Sequence, residues 1–147
     1  MTARTIEQRQ RHALQLLSQE VDAWVATAGN DVPWLVPLSF LWDGARLLFA
    51  TSRTSVTARN LLANGRVRLT VGSVRDVVVI EGRASACLVA DMAAAVGDAF
   101  AAKTGFDPRR PDTPHFYFWV RPARIQAWRD EAELVGRDLM KNGVWLV

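Results

Sequence analysis

Apolar and polar positions change rhythm several times along the chain, and each change predicts an element. Ile6, Ala13, Leu14 and Leu17 recur at helical intervals among Gln, Arg and His between Ile6 and Ser18, the pattern of an amphipathic opening helix that acts as a lid or packs on the rest. From Val21 to Ala28 the period shortens to two, with Val21, Ala23 and Val25 on one side and Trp24 on the other. A strand is expected there, ending at the turn Gly29-Asn30-Asp31. Pro33 to Trp42 is apolar at both parities, which predicts a strand covered on both faces or one whose second face meets a ligand. Pro37 cannot donate to a ladder and so marks an edge or a bulge. Asp43-Gly44 predicts a tight hairpin into Ala45 to Ala50.

Hydroxyls and arginines then interrupt the apolar run. Thr51, Ser52, Arg53, Thr54 and Ser55 lead into a short helix from Ser55 to Leu62, with Val56, Leu61 and Leu62 on its apolar side and Asn64-Gly65 as its stop. Backbone N–H groups at a helix start point outward, and Ser, Thr and Arg add donors, so this stretch is a candidate phosphate site. The same residues also suit an ordinary cap at Thr54 or Ser55 beside two solvated arginines.

The remaining pattern is mostly extended. Arg66 to Val71 alternates polar and apolar, the mark of a strand with one wet face, and Gly72 to Asp76 connects it to a long run from Val77 to Cys87. Gly82 within that run predicts a bulge or tight bend. Asp91 is expected to cap a helix from Met92 to Lys103 that turns Met92, Val96 and Phe100 to one side. Thr104 to Pro114 is a loop rich in Pro, Gly and charge, expected to be mobile. His115 to Arg121 reads as a strand ended by Pro122, Ala123 to Trp128 as another, and Glu131 to Val147 as a tail without an element. The order predicts a mainly β fold with peripheral helices, a six- to seven-stranded antiparallel split β-barrel. It forms a single domain over 1–147, with the helix in 1–20 and the tail in 129–147.

Composition narrows the chemistry. A chain of 147 residues, half of them hydrophobic, is one domain with a proper core. Six tryptophans are many for that core, which points to a pocket or a subunit interface. The net charge is +3, but Arg and Lys are spread along the sequence, which favours an anionic small molecule over nucleic acid. Cys87 stands alone, so no intramolecular disulfide or Cys-based metal motif exists, and a reducing cytoplasm fits. His12 and His115 have no carboxylates at ligand spacing, and no metal site is expected. Met1 to Glu20 is too polar for a signal peptide or a membrane span, so a soluble protein is expected. No acid–base pair or nucleophile motif stands out, and no catalytic residue is assigned.

The run Pro37-Leu38-Ser39-Phe40-Leu41-Trp42-Asp43-Gly44, then Leu47 to Arg53, then Ala58-Arg59-Asn60-Leu61 leading to Val67-Arg68-Leu69, carries a resemblance. It resembles the FMN-binding split barrel of the pyridoxamine 5'-phosphate oxidase-like superfamily, which includes enzymes using the deazaflavin F420. The likeness extends in outline from Val21 to Trp128 and is specific for the superfamily rather than for a reaction. It implies that Val36, Pro37, Leu38 and Ser39 pass beside an isoalloxazine-type ring. Thr51, Ser52 and Arg53 would reach the ribityl chain and phosphate, and Ser55 and Thr57 would complete the grip at the helix start. Many members carry a lysine where Thr57 stands, in a Lys-x-x-Asn-Leu pattern that here keeps Asn60 and Leu61. The full charge then falls to Arg53 and Arg59.

The resemblance further implies a homodimer with cofactor sites at the interface. Trp119 and Tyr117 would approach a ring held by the other subunit, or else serve as core or dimer contacts. Trp128 is expected to be structural, and Arg137 to meet an anionic part of a ligand or only solvent. The implied activity is hydride transfer to or from an unidentified small organic substrate, with FMN as cofactor and F420 as the alternative. A non-catalytic protein that binds or sequesters flavin, F420 or haem is a second reading. A basic barrel holding single-stranded nucleic acid is a third, weakened by the lack of a basic stripe interleaved with exposed aromatics. A full pyridoxamine 5'-phosphate oxidase would be longer, with more basic residues near its C-terminus, so that substrate is not expected.

Overall fold

The computed structural model describes residues 2–110 and 112–147. The opening helix α1 (Ile6–Gln19) starts in a capping box, in which Thr5 Oγ1 accepts from the Gln8 amide while the Gln8 side chain accepts from the Thr5 amide. Its Ala13 and Leu17 are buried in the same cluster as the barrel interior, so α1 packs on the barrel.

Six strands make the barrel: β1 (Asp22–Gly29), β2 (Val32–Trp42), β3 (Leu47–Ser52), β4 (Arg66–Ser73), β5 (Asp76–Leu88) and β6 (His115–Trp128). They run antiparallel in the order β3-β2-β1-β4-β5-β6, and pairing of β3 with β6 closes the ring. The alternation in β1 and β4 works as expected: Ala23, Val25, Val67, Leu69 and Val71 all turn inward. Phe49 and Phe118 meet inside the barrel with ring centroids 5.7 Å apart. Helix α2 (Val56–Asn64) links β3 to β4, and α3 (Ala94–Thr104) lies on the outer face, where Phe100 packs edge-on against Tyr117.

Several expectations need correcting. β2 is not covered on both faces: Val32 to Leu35 and Pro37 are exposed, because the β1–β2 hairpin runs on past the pairing with β3. Pro37 does lie on an edge, pairing only with Trp24, and the register shows no bulge there. The buried side of α2 is Thr57, Ala58, Asn60 and Leu61, while Leu62 faces solvent. Asp91 sits in a short 3-10 turn and caps nothing in α3, which begins at Ala94 after Ala93.

Pro122 does not divide the last barrel strand. β6 runs unbroken for 14 residues because Pro122 falls at the bulge, opposite Gly82, where a ladder donor is not needed. A side chain at Gly82 would place its Cβ 2.5 Å from the Arg121 carbonyl, which explains the glycine. The tail also forms structure: β7 (Asp138–Lys141) pairs with β6, and β8 (Val144–Trp145) folds back on β7. Asn142 and Gly143 both take positive φ, as a two-residue hairpin turn requires, and this Asn-Gly signal marks the hairpin in the sequence itself.

Candidate functional site

β2 and β3 pair only where Phe40, Leu41 and Trp42 meet Phe49, Leu48 and Leu47. Beyond that point they part. Val36 to Ser39 stay with β1, and Ala50 to Ser52 stay with β6. The expected ring-side and phosphate-side residues therefore line the two diverging strands, with the start of α2 just past the end of β3. Val36, Leu38 and Ser39 are half-buried, and Pro37 is exposed. The Ser39 hydroxyl donates to Asp22 at 2.7 Å, across its strand pair.

The turn into α2 is organised by its own hydroxyls. Ser55 is the N-cap: its Oγ accepts the Ala58 amide at 3.0 Å and the Thr51 hydroxyl at 2.9 Å. Ser52 Oγ accepts the Thr54 amide and lies 3.2 Å from Thr54 Oγ1. With Ala58 capped, the first-turn amides of Val56 and Thr57 keep their donors free of intrahelical partners. Arg53 leans on β6, donating through Nε to the His115 carbonyl at 3.4 Å and stacking 4.8 Å from the Phe116 ring centre. Its terminal nitrogens make no hydrogen bond among the described residues. Arg59 is exposed and likewise without a side-chain partner among them.

Other expected residues fall elsewhere. Thr57 is buried at 2 % exposure. Asn60 clamps α2 to β1: its Nδ2 donates to Thr27 Oγ1 at 3.1 Å, and its Oδ1 fills the space that a Cβ at Gly29 would need. Trp119 lies under the Arg46 guanidinium, 3.8 Å from the ring centre, and pairs with Leu48. Four residues of strand separate it from His115, about 13 Å, so it stands away from the turn into α2. Tyr117 is fully buried beneath α3, its hydroxyl without a partner among the described residues, and burial pushes its pKa up. Arg137 curls over Trp128 with its guanidinium 5.6 Å from the ring centre.

No sequence signal announces the buried Glu133 carboxylate, which accepts from Arg4 Nη2 at 2.7 Å, or the arginine-lined cavity of about 550 Å³ on the outer face of β1, β4 and β5. None of the expected site residues lines that cavity. Among the described residues no cluster of three His, Cys, Asp or Glu is placed to hold a metal ion. No described helix is long and apolar enough to cross a membrane.

Known proteins narrow the field. The family model for pyridoxamine 5'-phosphate oxidase matches residues 10–129. No curated protein matches the chain. Among solved structures, the General Stress Protein 26 from Bacillus anthracis is similar with a TM-score of 0.69 at 19 % identity, covering 85 % of this chain and 96 % of its own. A FAD-binding protein from Mesorhizobium loti gives 0.67 at 21 %, covering 80 % and 90 %. An F420 reductase gives 0.62 at 22 %, covering 76 % and 93 %. At such identities these likenesses establish the shared fold.

Proposed function

We propose, since the chain belongs to the pyridoxamine 5'-phosphate oxidase family, that it is an oxidoreductase using FMN, with F420 as the alternative cofactor. One observation carries the reading. The start of α2, just past the point where β2 and β3 part, carries the first-turn amides and the Ser52 and Thr54 hydroxyls, and the flanking Arg53 and Arg59 keep terminal nitrogens without a partner among the described residues. That donor set suits a phosphate dianion. With Thr57 buried and no lysine in its place, Arg53 and Arg59 supply the charge. The half-buried Val36 and Leu38 offer the ring an apolar wall, and Pro37 leaves that strand edge without one donor.

A bound flavin or deazaflavin supplies hydride transfer to or from a small organic substrate. The chain supplies orientation and the exclusion of water. A homodimer with its sites at the interface is part of the reading, supported by the exposed Trp24, Val32, Trp34 and Leu35 on the β1–β2 hairpin. Light scattering at micromolar protein tests it, and a monomer would refute it. A single cysteine fits a reducing cytoplasm.

The deciding experiment is a titration of wild type and Arg53→Ala with FMN and with F420. Loss of a charge-assisted contact weakens the preferred cofactor about 10- to 100-fold. Unchanged affinity for both cofactors sinks the assignment. A protein that binds FMN, F420 or haem but turns over no hydride acceptor or donor is instead a sequestering member of the family.

A further inference from the structure

On the outer face of the sheet, two neighbouring rungs of side chains cross β4, β5 and β6. In one, Arg68 lies opposite Glu81, and Glu81 opposite Arg124. In the next, Arg66 lies opposite Arg83, and Arg83 opposite Arg121. The first rung is compensated: Arg68 reaches Glu81 at 3.1 Å, and Arg124 reaches Asp138 at 2.9 Å. The second is not. The side chains of Arg66 and Arg121 make no hydrogen bond or ion pair among the described residues, and Arg83 donates only to the Asn64 carbonyl at 2.9 Å. Residues directly opposite in a sheet share a face about 5 Å apart, and like charges so placed repel. Three exposed arginines thus stand side by side across three strands, their backbone positions spanning about 10 Å, with no carboxylate in their row.

Room for a ligand lies beside them. The cavity of about 550 Å³ is lined in its middle by Arg66, Arg68 and Arg83, with Glu81 among them held by Arg68. At its ends lie the small side chains of Ala28 and Pro33 on one flank and Ala123 on the other, while Arg121 stands in the row beside Arg83 just outside the lining. Past Ala123 a second hollow of about 390 Å³ continues to Arg124 and Lys141. The bulge makes this shape. Gly82 pairs with Pro122 and Glu81 with Arg124, so Ala123 is the extra residue, and its methyl leaves the floor low between the two hollows.

We propose that this trough binds a small polyanion carrying two or more phosphate or carboxylate groups. The ligand would bring to the second rung the negative charge that Glu81 brings to the first. Guanidinium forks match both oxyanions bidentately, and the cavity has the size of a small-molecule site. No aromatic side chain lines either hollow, so the stacking platform that single-stranded nucleic acid requires is missing. The trough is separate from the flavin phosphate site of the preceding reading, although its Ala28 and Pro33 end adjoins the hairpin residues assigned there to the dimer contact. Arg83 holds the carbonyl of Asn64 at the far end of α2, about 14 Å along the helix from Ser55.

Calorimetric titration at low salt tests this with sodium tripolyphosphate and citrate as probes, on wild type, Arg66→Ala/Arg121→Ala and Arg53→Ala. Binding of either probe at one per chain is expected, and the tighter one identifies the oxyanion. The double variant weakens it about tenfold or more while FMN affinity holds. Arg53→Ala leaves it unchanged. Absence of binding by both probes, or equal binding by wild type and double variant, overturns the proposal. So does a decamer of thymidylate that binds more tightly than either probe and loses affinity in the double variant, since that outcome makes the trough a nucleic-acid surface. The double variant melts no lower than wild type, because its removed charges repel each other. A marked drop in melting temperature would show that the row is compensated after all.

Discussion

Arg4 and Arg9 converge on a buried carboxylate, while Arg66, Arg83 and Arg121 stand in a row with none. Glu133 accepts from Arg4 three times, through the amide at 2.9 Å, Nε at 2.9 Å and Nη2 at 2.7 Å, and from the Arg129 amide at 2.8 Å. Arg9 donates to the carbonyls of Glu133 and Gly136. Every charge in this staple can leave water because its donors are matched, and the result ties the N-terminal segment to the tail. The Arg4 hydrogen bonds hold the Glu133 carboxyl at a pKa of about 2. The exposed row gains nothing of the kind from the fold. A structural arginine is recognised by what it already holds, whereas the row keeps most of its donors for solvent or for the polyanion proposed above.

The contrast can be broken most severely at the staple. Glu133→Ala leaves buried guanidinium donors unpaired and is expected to cost about 3–5 kcal/mol, read by urea unfolding. A loss under about 1 kcal/mol, the size of a surface pair, would remove the distinction between the two groups. Acid probes the same staple without a mutation. Because the folded pKa of Glu133 lies below its ordinary 4.5, its contribution is complete above 4.5 and is lost as pH falls towards about 2. Asp138, held at about 2 by its hydrogen bond from Arg124, has the same sign. Melting temperature should therefore fall between pH 4.5 and 2, and the fall should be shallower in Glu133→Gln.

Smaller effects sharpen the other side. Gly82→Val forces a branched side chain against the Arg121 carbonyl and should cost about 1–3 kcal/mol. It should also weaken tripolyphosphate binding by disturbing the alignment of Arg83 with Arg121. Retained binding in a folded Gly82→Val protein would mean that the bulge does not set the row. The smallest change is a gain: Arg121→Glu places a carboxylate opposite Arg83 and should raise stability by about 0.2–1 kcal/mol in low salt. No gain would mean that solvent already screens the row.

Much of the fold was legible because its signals are local. The alternation of Arg66 to Val71, the Ser55 cap and the Gly65 stop each depend on a few neighbouring residues, and each is present. The hairpin at Asp43-Gly44 is present too, but closes through Ala45 and Arg46 as well, with Leu47 rather than Ala45 opening the strand opposite Trp42. Asn142-Gly143 was equally local and marks a hairpin that the tail reading passed over. The candidate cofactor site was legible in part for the same reason, since Thr51, Ser52, Thr54 and Ser55 organise one another. Asn60 was less so, because its partners Thr27 and Gly29 lie a strand away. Pro122 misled because a proline ends a strand only where its missing donor matters, and the register decides that.

By itself the sequence determined most of the barrel strands, several of their turns and the family, for periodicity and turn chemistry are written residue by residue. It showed arginines spread along the chain, with no stripe among them. Only the tertiary structure set Arg66, Arg83 and Arg121 in one row, because strand register brings together residues that the sequence keeps apart. A slip of one residue in that register would turn alternate side chains to the opposite face and scatter the row.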